Sequence, residues 1–214
     1  MMSFNGLDLR VDEGNFIEID ADCNFQTSRI YIQGTGNKVK ISKALLHQTL
    51  FINISGNDKE IVVSESKKNI NNLKIVSIRG ECQKVLIGRD FSCGGCEIQM
   101  NDGYETLTIG DDCLFSWGIK MRTSDGHSVI DLETGNAINL PKNITIGSHV
   151  WVGEDVKFLK GSIIPCNTIV GGFSVVTKAF FSENSVIAGF PAKVVKSNVG
   201  WDRQMPYEYN RVKS

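Results

Sequence analysis

The chain has 214 residues, with 23 Lys plus Arg against 24 Asp plus Glu and a formal net charge of -1. That balance excludes a polycation built to neutralise phosphate backbones and argues against nucleic acid as the main partner. Ile and Val number 41 against 12 Leu, which favours strands, because β-branched side chains lose rotamer freedom on helices and pack well on pleated surfaces. With 21 Gly and only 4 Pro, the expectation is an all-β chain with many tight turns.

The first residues, MMSFNGLDLRVDEG, carry neither a basic region nor an apolar stretch and do not read as a signal peptide. No run reaches the roughly 18 apolar residues that cross a bilayer, so no membrane span is expected. A cytoplasmic protein whose six cysteines stay reduced is the corresponding expectation. Further along, Ile30–Gly34, Ile52–Gly56, Val76–Gly80 and Ile98–Gly103 align on glycines spaced 22, 24 and 23 residues apart. Each unit precedes a second alternating strand: Val39–Ile41, Ile61–Val63, Val85–Ile87 and Leu107–Ile109. They predict coils of 22 to 24 residues that bulge at one corner, although stacked hairpins would give the same strand–glycine–strand pattern. His47 lies in a stretch without repeat character and is expected on the surface. Cys93-Gly94-Gly95-Cys96 has metal spacing, but no second pair or nearby histidine completes a zinc site. It reads as two thiols in a turn, and no metal is expected.

At Ile109 a six-residue beat begins, continuing through Phe115 and Met121 and breaking off at His127, where a loop over 128–143 starts. The beat returns as Ile146, Val152, Phe158, Ile164, Val170 and Val176. Small or β-branched residues, Val150, Val156, Ser162, Thr168 and Ser174, fall four places after each of the first five. Neither a 3.6-residue helix nor a plain strand has this period. It predicts short strands joined by corners, one inward apolar side chain per face, and three faces to a triangular coil. The merging of both repeats at Ile109 favours one continuous solenoid: a single domain over 1–196, with 128–143 inserted and a tail over 197–214.

The motifs Ile144-Thr-Ile-Gly-Ser-His-Val-Trp-Val-Gly153, Leu159-Lys-Gly161, Val170 to Lys178 and Val186 to Val195 resemble the hexapeptide-repeat acetyltransferases. The resemblance implies a left-handed parallel β-helix, acetyl-CoA as co-substrate and a homotrimer. Thr123-Ser-Asp-Gly-His127 with its following loop is similar to the branch that acetylates sugar hydroxyls, and within it to capsular polysaccharide O-acetyltransferases, polysialic acid being one such acceptor. The N-terminal half matches the family only in style.

A sugar hydroxyl needs a base to become a nucleophile, and imidazole titrates near working pH. Of three histidines, His127 stands at the break in register, and the family match makes it the catalytic base. His149 is expected mid-strand, where it contacts a neighbouring subunit. Trp151 falls 24 residues after His127 at an outward place. Either it packs on the 128–143 loop or, as the resemblance implies, it walls the acetyl-CoA channel beside His127 as part of the catalytic centre. The resemblance also assigns Lys178 and Lys193 to the cofactor's phosphates, and Gly171, Gly172, Ser174 and Thr177 to its pantetheine arm. Asp125 and Ser128 are expected to meet the acceptor sugar, Asp125 equally reading as a turn residue. No Asn or Gln is evidently placed for the oxyanion, which leaves a backbone N–H.

The expected function is an O-acetyltransferase acting on a bacterial capsular or surface polysaccharide, with an N-acetyltransferase of an amino sugar nucleotide as the alternative. A carbonic anhydrase on the same solenoid needs three metal-binding histidines, and only His127 and His149 lie in the regular repeats. The outward aromatics Trp117, Trp151 and Phe173 point to burial against a partner, hence a trimer with each site built from two subunits.

Overall fold

The computed structural model describes residues 4–213, and among them the chain is a left-handed parallel β-helix of triangular cross-section, about eight turns long. Three sheets run its length. The first face stacks Leu7–Val11, Ser28–Gln33, Phe51–Ser55, Leu73–Ser77, Cys96–Gln99, Ile119–Arg122, Lys157–Phe158 and Val175–Val176. Phe16–Ile19, Lys38–Ile41, Glu60–Val63, Lys84–Ile87, Thr106–Ile109, Ile144–Ile146 and Ile163–Ile164 form the second. The third runs from Phe25–Gln26 through Trp151–Val152 to Ser185–Gly189, and Ala192–Ser197 closes it antiparallel. A helix, Pro206–Lys213, ends the description, and no helix among the described residues is long and apolar enough to cross a membrane.

The first half is not built of hairpins, because its strands pair in parallel from coil to coil. Arg29 pairs with Phe51, 22 residues on, and Phe51 with Lys74, 23 on. Lys120 pairs with Lys157, a step of 37 that contains the inserted loop, and Lys157 with Val175, a step of 18. The inserted loop carries its own antiparallel bridge between Ile130 and Ala137.

Each hexad buries two side chains rather than the one expected. Val150 with Val152, Val156 with Phe158 and Thr168 with Val170 are all inaccessible. The period of two along a strand puts i and i+2 on the same side, so both enter the core. His47 is corrected as well: it is fully buried in the third face, stacked on Phe25 at 5.2 Å, and its Nε2 donates to the Ser42 carbonyl at 2.9 Å. Cys93 and Cys96 are buried strand residues rather than turn thiols. Burial pushes Cys93 up to about 12, so neither is a ready nucleophile. The intervening Gly94 is required by Trp117, whose indole would lie 2.6 Å from a Cβ there. All six cysteines are free.

Candidate active site

Between the first and second faces runs a corner of stacked glycines. Gly34, Gly56, Gly80 and Gly103 all have positive φ, from +64° to +114°. A Cβ on Gly80 would stand 2.6 Å from the Gly103 carbonyl oxygen, so no larger residue fits. Polar side chains support this corner from inside the coil. Asn15 donates to the Gly34 carbonyl at 2.8 Å, Asn37 to that of Gly56 at 2.9 Å, and Gln83 to that of Asp102 at 3.0 Å. Lys59, wholly buried, donates to the carbonyls of Ser55, Ser77 and Arg79 at 2.7–3.1 Å. The 23-residue spacing continues from Gly80 through Gly103 to Gly126, so His127 follows the fifth glycine of the series.

Here the chain leaves the coil, and a cleft of about 300 Å³ opens, lined by Arg79, Asn101, Asp102, Asp125, His127, Ser128 and Asn139 among others. His127 and Ser128 are exposed, and among the described residues the His127 imidazole makes no hydrogen bond. Its backbone, by contrast, is pinned. Asn139 donates to the His127 carbonyl at 2.9 Å and to Asp125 at 2.7 Å, and its Oδ1 accepts from Val129 N–H at 2.8 Å. Lys160 Nζ donates to both Asp125 and the Asn139 carbonyl at 2.6 Å. Hydrogen bonds from Lys160 and Asn139 hold the Asp125 carboxyl below its ordinary range. The Asp125 carboxylate thus ties the loop to Lys160 while it lines the cleft. Two side-chain amides line the cleft where none was expected, but Asn139 is fully engaged in holding the loop, which leaves Asn101.

Trp151 does not join His127 within the chain. It stands outward on the third face, 41% exposed, in a cleft of about 380 Å³ with Ile169, Trp201, Pro206 and Tyr209. In a triangular coil that face lies opposite the glycine corner. Trp151 packs toward the tail, 6.2 Å from the Trp201 ring, and not on the 128–143 loop. His149 is at a corner with φ +54° rather than mid-strand. Its ring stacks on Trp201 at 4.3 Å and its Nδ1 pairs with Asp112 at 2.8 Å, while Trp201 Nε1 donates to the His149 carbonyl. Arg203 completes the clasp by donating to Asp112 at 3.0 and 3.1 Å and to Ser92 at 2.9 Å.

The remaining expected donor-site residues gather near the last coils. Gly172, Thr177, Lys178 and Lys193 are exposed, and Gly171 is half-buried. Ser174 cannot offer its hydroxyl: fully buried, it donates to the Gly171 carbonyl at 2.6 Å and accepts from Gly189 N–H at 3.0 Å. Sequence reasoning missed Arg79, Asn101, Asn139 and Lys160. For Arg79 the signal was present, since extending the glycine register to Gly126 aligns it with Asp102 and Asp125; Asn101 falls one place before that column. Asn139 and Lys160 carried none, because their partners lie 10 to 35 residues away.

Among the described residues, no three His, Cys, Asp or Glu side chains group as a metal site. No protein-family model matches the chain. A polysialic acid O-acetyltransferase of Neisseria meningitidis is 35% identical over 191 residues, which is 89% of this chain and 87% of that protein. The crystal structure of a polySia-specific acetyltransferase superposes with a TM-score of 0.81 at 26% identity, over 99% of this chain and all of that one. A galactoside acetyltransferase in complex with coenzyme A gives a TM-score of 0.50 at 26% identity, over 66% of this chain and 65% of that one.

Proposed function

The chain belongs to the family of polysialic acid O-acetyltransferases, and is therefore an acyltransferase; we propose that it moves acetyl from acetyl-CoA to hydroxyls of a bacterial capsular or surface polysaccharide, polysialic acid being the first acceptor to test. The observation that carries this reading is the His127 imidazole, exposed and without a hydrogen-bond partner among the described residues, on a backbone pinned by Asn139 and Lys160. The pinned loop fixes where the ring stands, and its nitrogens are open to the proton of an acceptor hydroxyl. His127 takes the proton of the acceptor hydroxyl as its oxygen attacks the thioester carbonyl. The tetrahedral oxyanion then collapses, the C–S bond breaks, and the imidazolium returns the proton to the departing thiolate. The likeness to a structure holding coenzyme A supports the donor, and six free thiols accord with a reducing, cytoplasmic setting.

The separation of Trp151 from His127 within one chain supports a homotrimer. Trp151 and the Gly171–Gly172 corner lie away from the His127 corner, whereas Thr177 and Lys178 follow Val175–Val176 at that same corner, two coils on. A ring of three is the assembly that brings Trp151 of one subunit to the His127 loop of the next. Exposed Trp117, Phe173 and Leu132 supply apolar surface for such contacts. With acetyl-CoA and polysialic acid, His127→Ala should lower turnover by about 10²-fold or more while leaving coenzyme A binding intact. Near-normal turnover would remove His127 from the mechanism. Transfer confined to an amino sugar nucleotide would replace O-acetylation with N-acetylation. Light scattering should give three times the 23.6 kDa chain mass, and full activity at the monomer mass would end the shared-site reading.

A further inference from the structure

The His127 cleft holds two groups the fold does not use for itself. The Arg79 side chain has no hydrogen bond or ion pair among the described residues, although its carbonyl is held from inside by Lys59. Asn101 Oδ1 is buried without a partner, and such groups in a native structure call for an explanation. The acidic side chains of the cleft must be counted against any anion. Asp125 is neutralised by Lys160 at 2.6 Å. Asp102 is exposed and unpaired among the described residues, but Arg122 adds a further cation at the rim, its Nη2 3.6 Å from where a Gly126 Cβ would be. The free charges of the cleft and its rim are therefore mixed, Arg79 and Arg122 against Asp102 and Glu81, and Arg79 is the free cation of the lining itself.

We propose that Arg79 is a specificity-determining residue which selects an acidic polymer by pairing with the carboxylate of one of its sugars. This rests on the acetyl-transfer reading above. A guanidinium presents a planar fork that matches a carboxylate two-for-two, which a neutral sugar hydroxyl cannot satisfy equally. Arg79 stands two coils from Asp125 in the same column, and coils stack at roughly 4.8 Å. That spacing suits a carboxylate on a sugar neighbouring the one whose hydroxyl meets His127, as in a polymeric acceptor. Asp102, one coil between, faces the intervening hydroxyls as an acceptor of hydrogen bonds.

The test compares polysialic acid with its carboxyl-reduced form, following both acetyl transfer and direct binding by calorimetry. Arg79→Gln should raise KM and Kd for the acidic polymer about tenfold, the scale of one charged hydrogen bond, with kcat unchanged. It should leave values for the reduced polymer as they are, and Arg79→Lys should restore part of the loss. If the wild type transfers acetyl equally well to both polymers, or Arg79→Gln weakens both alike, the assignment of Arg79 is overturned while O-acetylation stands. Arg79-dependent binding of the acidic polymer without transfer would leave Arg79 in place and overturn the acetyl-transfer reading. Neither binding nor transfer of either polymer would overturn both.

Discussion

Before Arg122 the coils take 21 to 24 residues per turn, and after Ile144 they take 17 or 18, yet both halves stack by the same parallel pairing. The short coils have little at their corners beyond a single left-handed residue, such as His149, Asp155, Asn167 or Phe173. Buried hydroxyls tie up their carbonyls, as Ser162 does at Leu159 and Val176. In the long coils the additional residues form the glycine corner, whose carbonyls are held from within by Asn15, Asn37, Lys59 and Gln83. With the backbone satisfied inside, the corner's outward side chains are released for a ligand. Regularity makes a strong scaffold, and the departure from it makes the cleft.

The sharpest way to break this contrast is at the glycine stack. Gly80→Ala puts a Cβ on a residue with φ +70° and against the Gly103 carbonyl, so it should cost about 2–3 kcal/mol of stability and disturb Arg79 beside it. Gly200→Ala, with nothing within 4 Å, should stay within about 0.5 kcal/mol. Urea unfolding of the two variants decides, and equal effects would mean the corner is not sterically closed.

A smaller effect is expected where the tail meets the short coils. Arg203→Ala removes the bonds to Asp112 and Ser92, a partly exposed set expected to contribute about 1 kcal/mol. The consequence should be faster proteolysis after Val199 and a raised KM for acetyl-CoA with that for the polysaccharide unchanged. A change confined to the polysaccharide would move the Trp151–Trp201 cleft to the acceptor side.

The mildest effect concerns Lys59, whose ammonium is pushed by burial from 10.5 down to about 8. Below that value the folded protein carries a buried charge at a desolvation cost. Between about 8 and 10.5 the unfolded chain binds more protons than the folded one, so this group makes stability rise with pH. Thermal melts of the wild type and Lys59→Gln should therefore differ by an amount that shifts in favour of the wild type across that window. A constant difference from pH 7 to 10 would show that the three carbonyls around Nζ hold the charge as well as water does.

The repeat was legible because it is local: Ile146 to Val176 announces its period within thirty residues, and the aligned glycines announce the longer coils. His127 was legible as a break in that rhythm. His47 and His149 were misread for the opposite reason, since each owes its place to residues a coil or more away. His47 is buried by Phe25, 22 residues earlier, and His149 is clasped by Trp201, 52 residues later. The cysteine pair at metal spacing was explained only by Trp117 lying over Gly94.

By itself the sequence determined the parallel coil, its three short strands per turn and the point where it opens into a loop, because strand alternation and corner residues act over a few positions. The tertiary structure alone decided that Arg79 shares a cleft with His127, that Lys160 and Asn139 hold that loop, and that Trp151 faces the other way. Those relations depend on which coil stacks on which and on how many residues each corner absorbs. One residue more or fewer at a corner changes which side chain faces the neighbouring coil, and no local pattern records that sum.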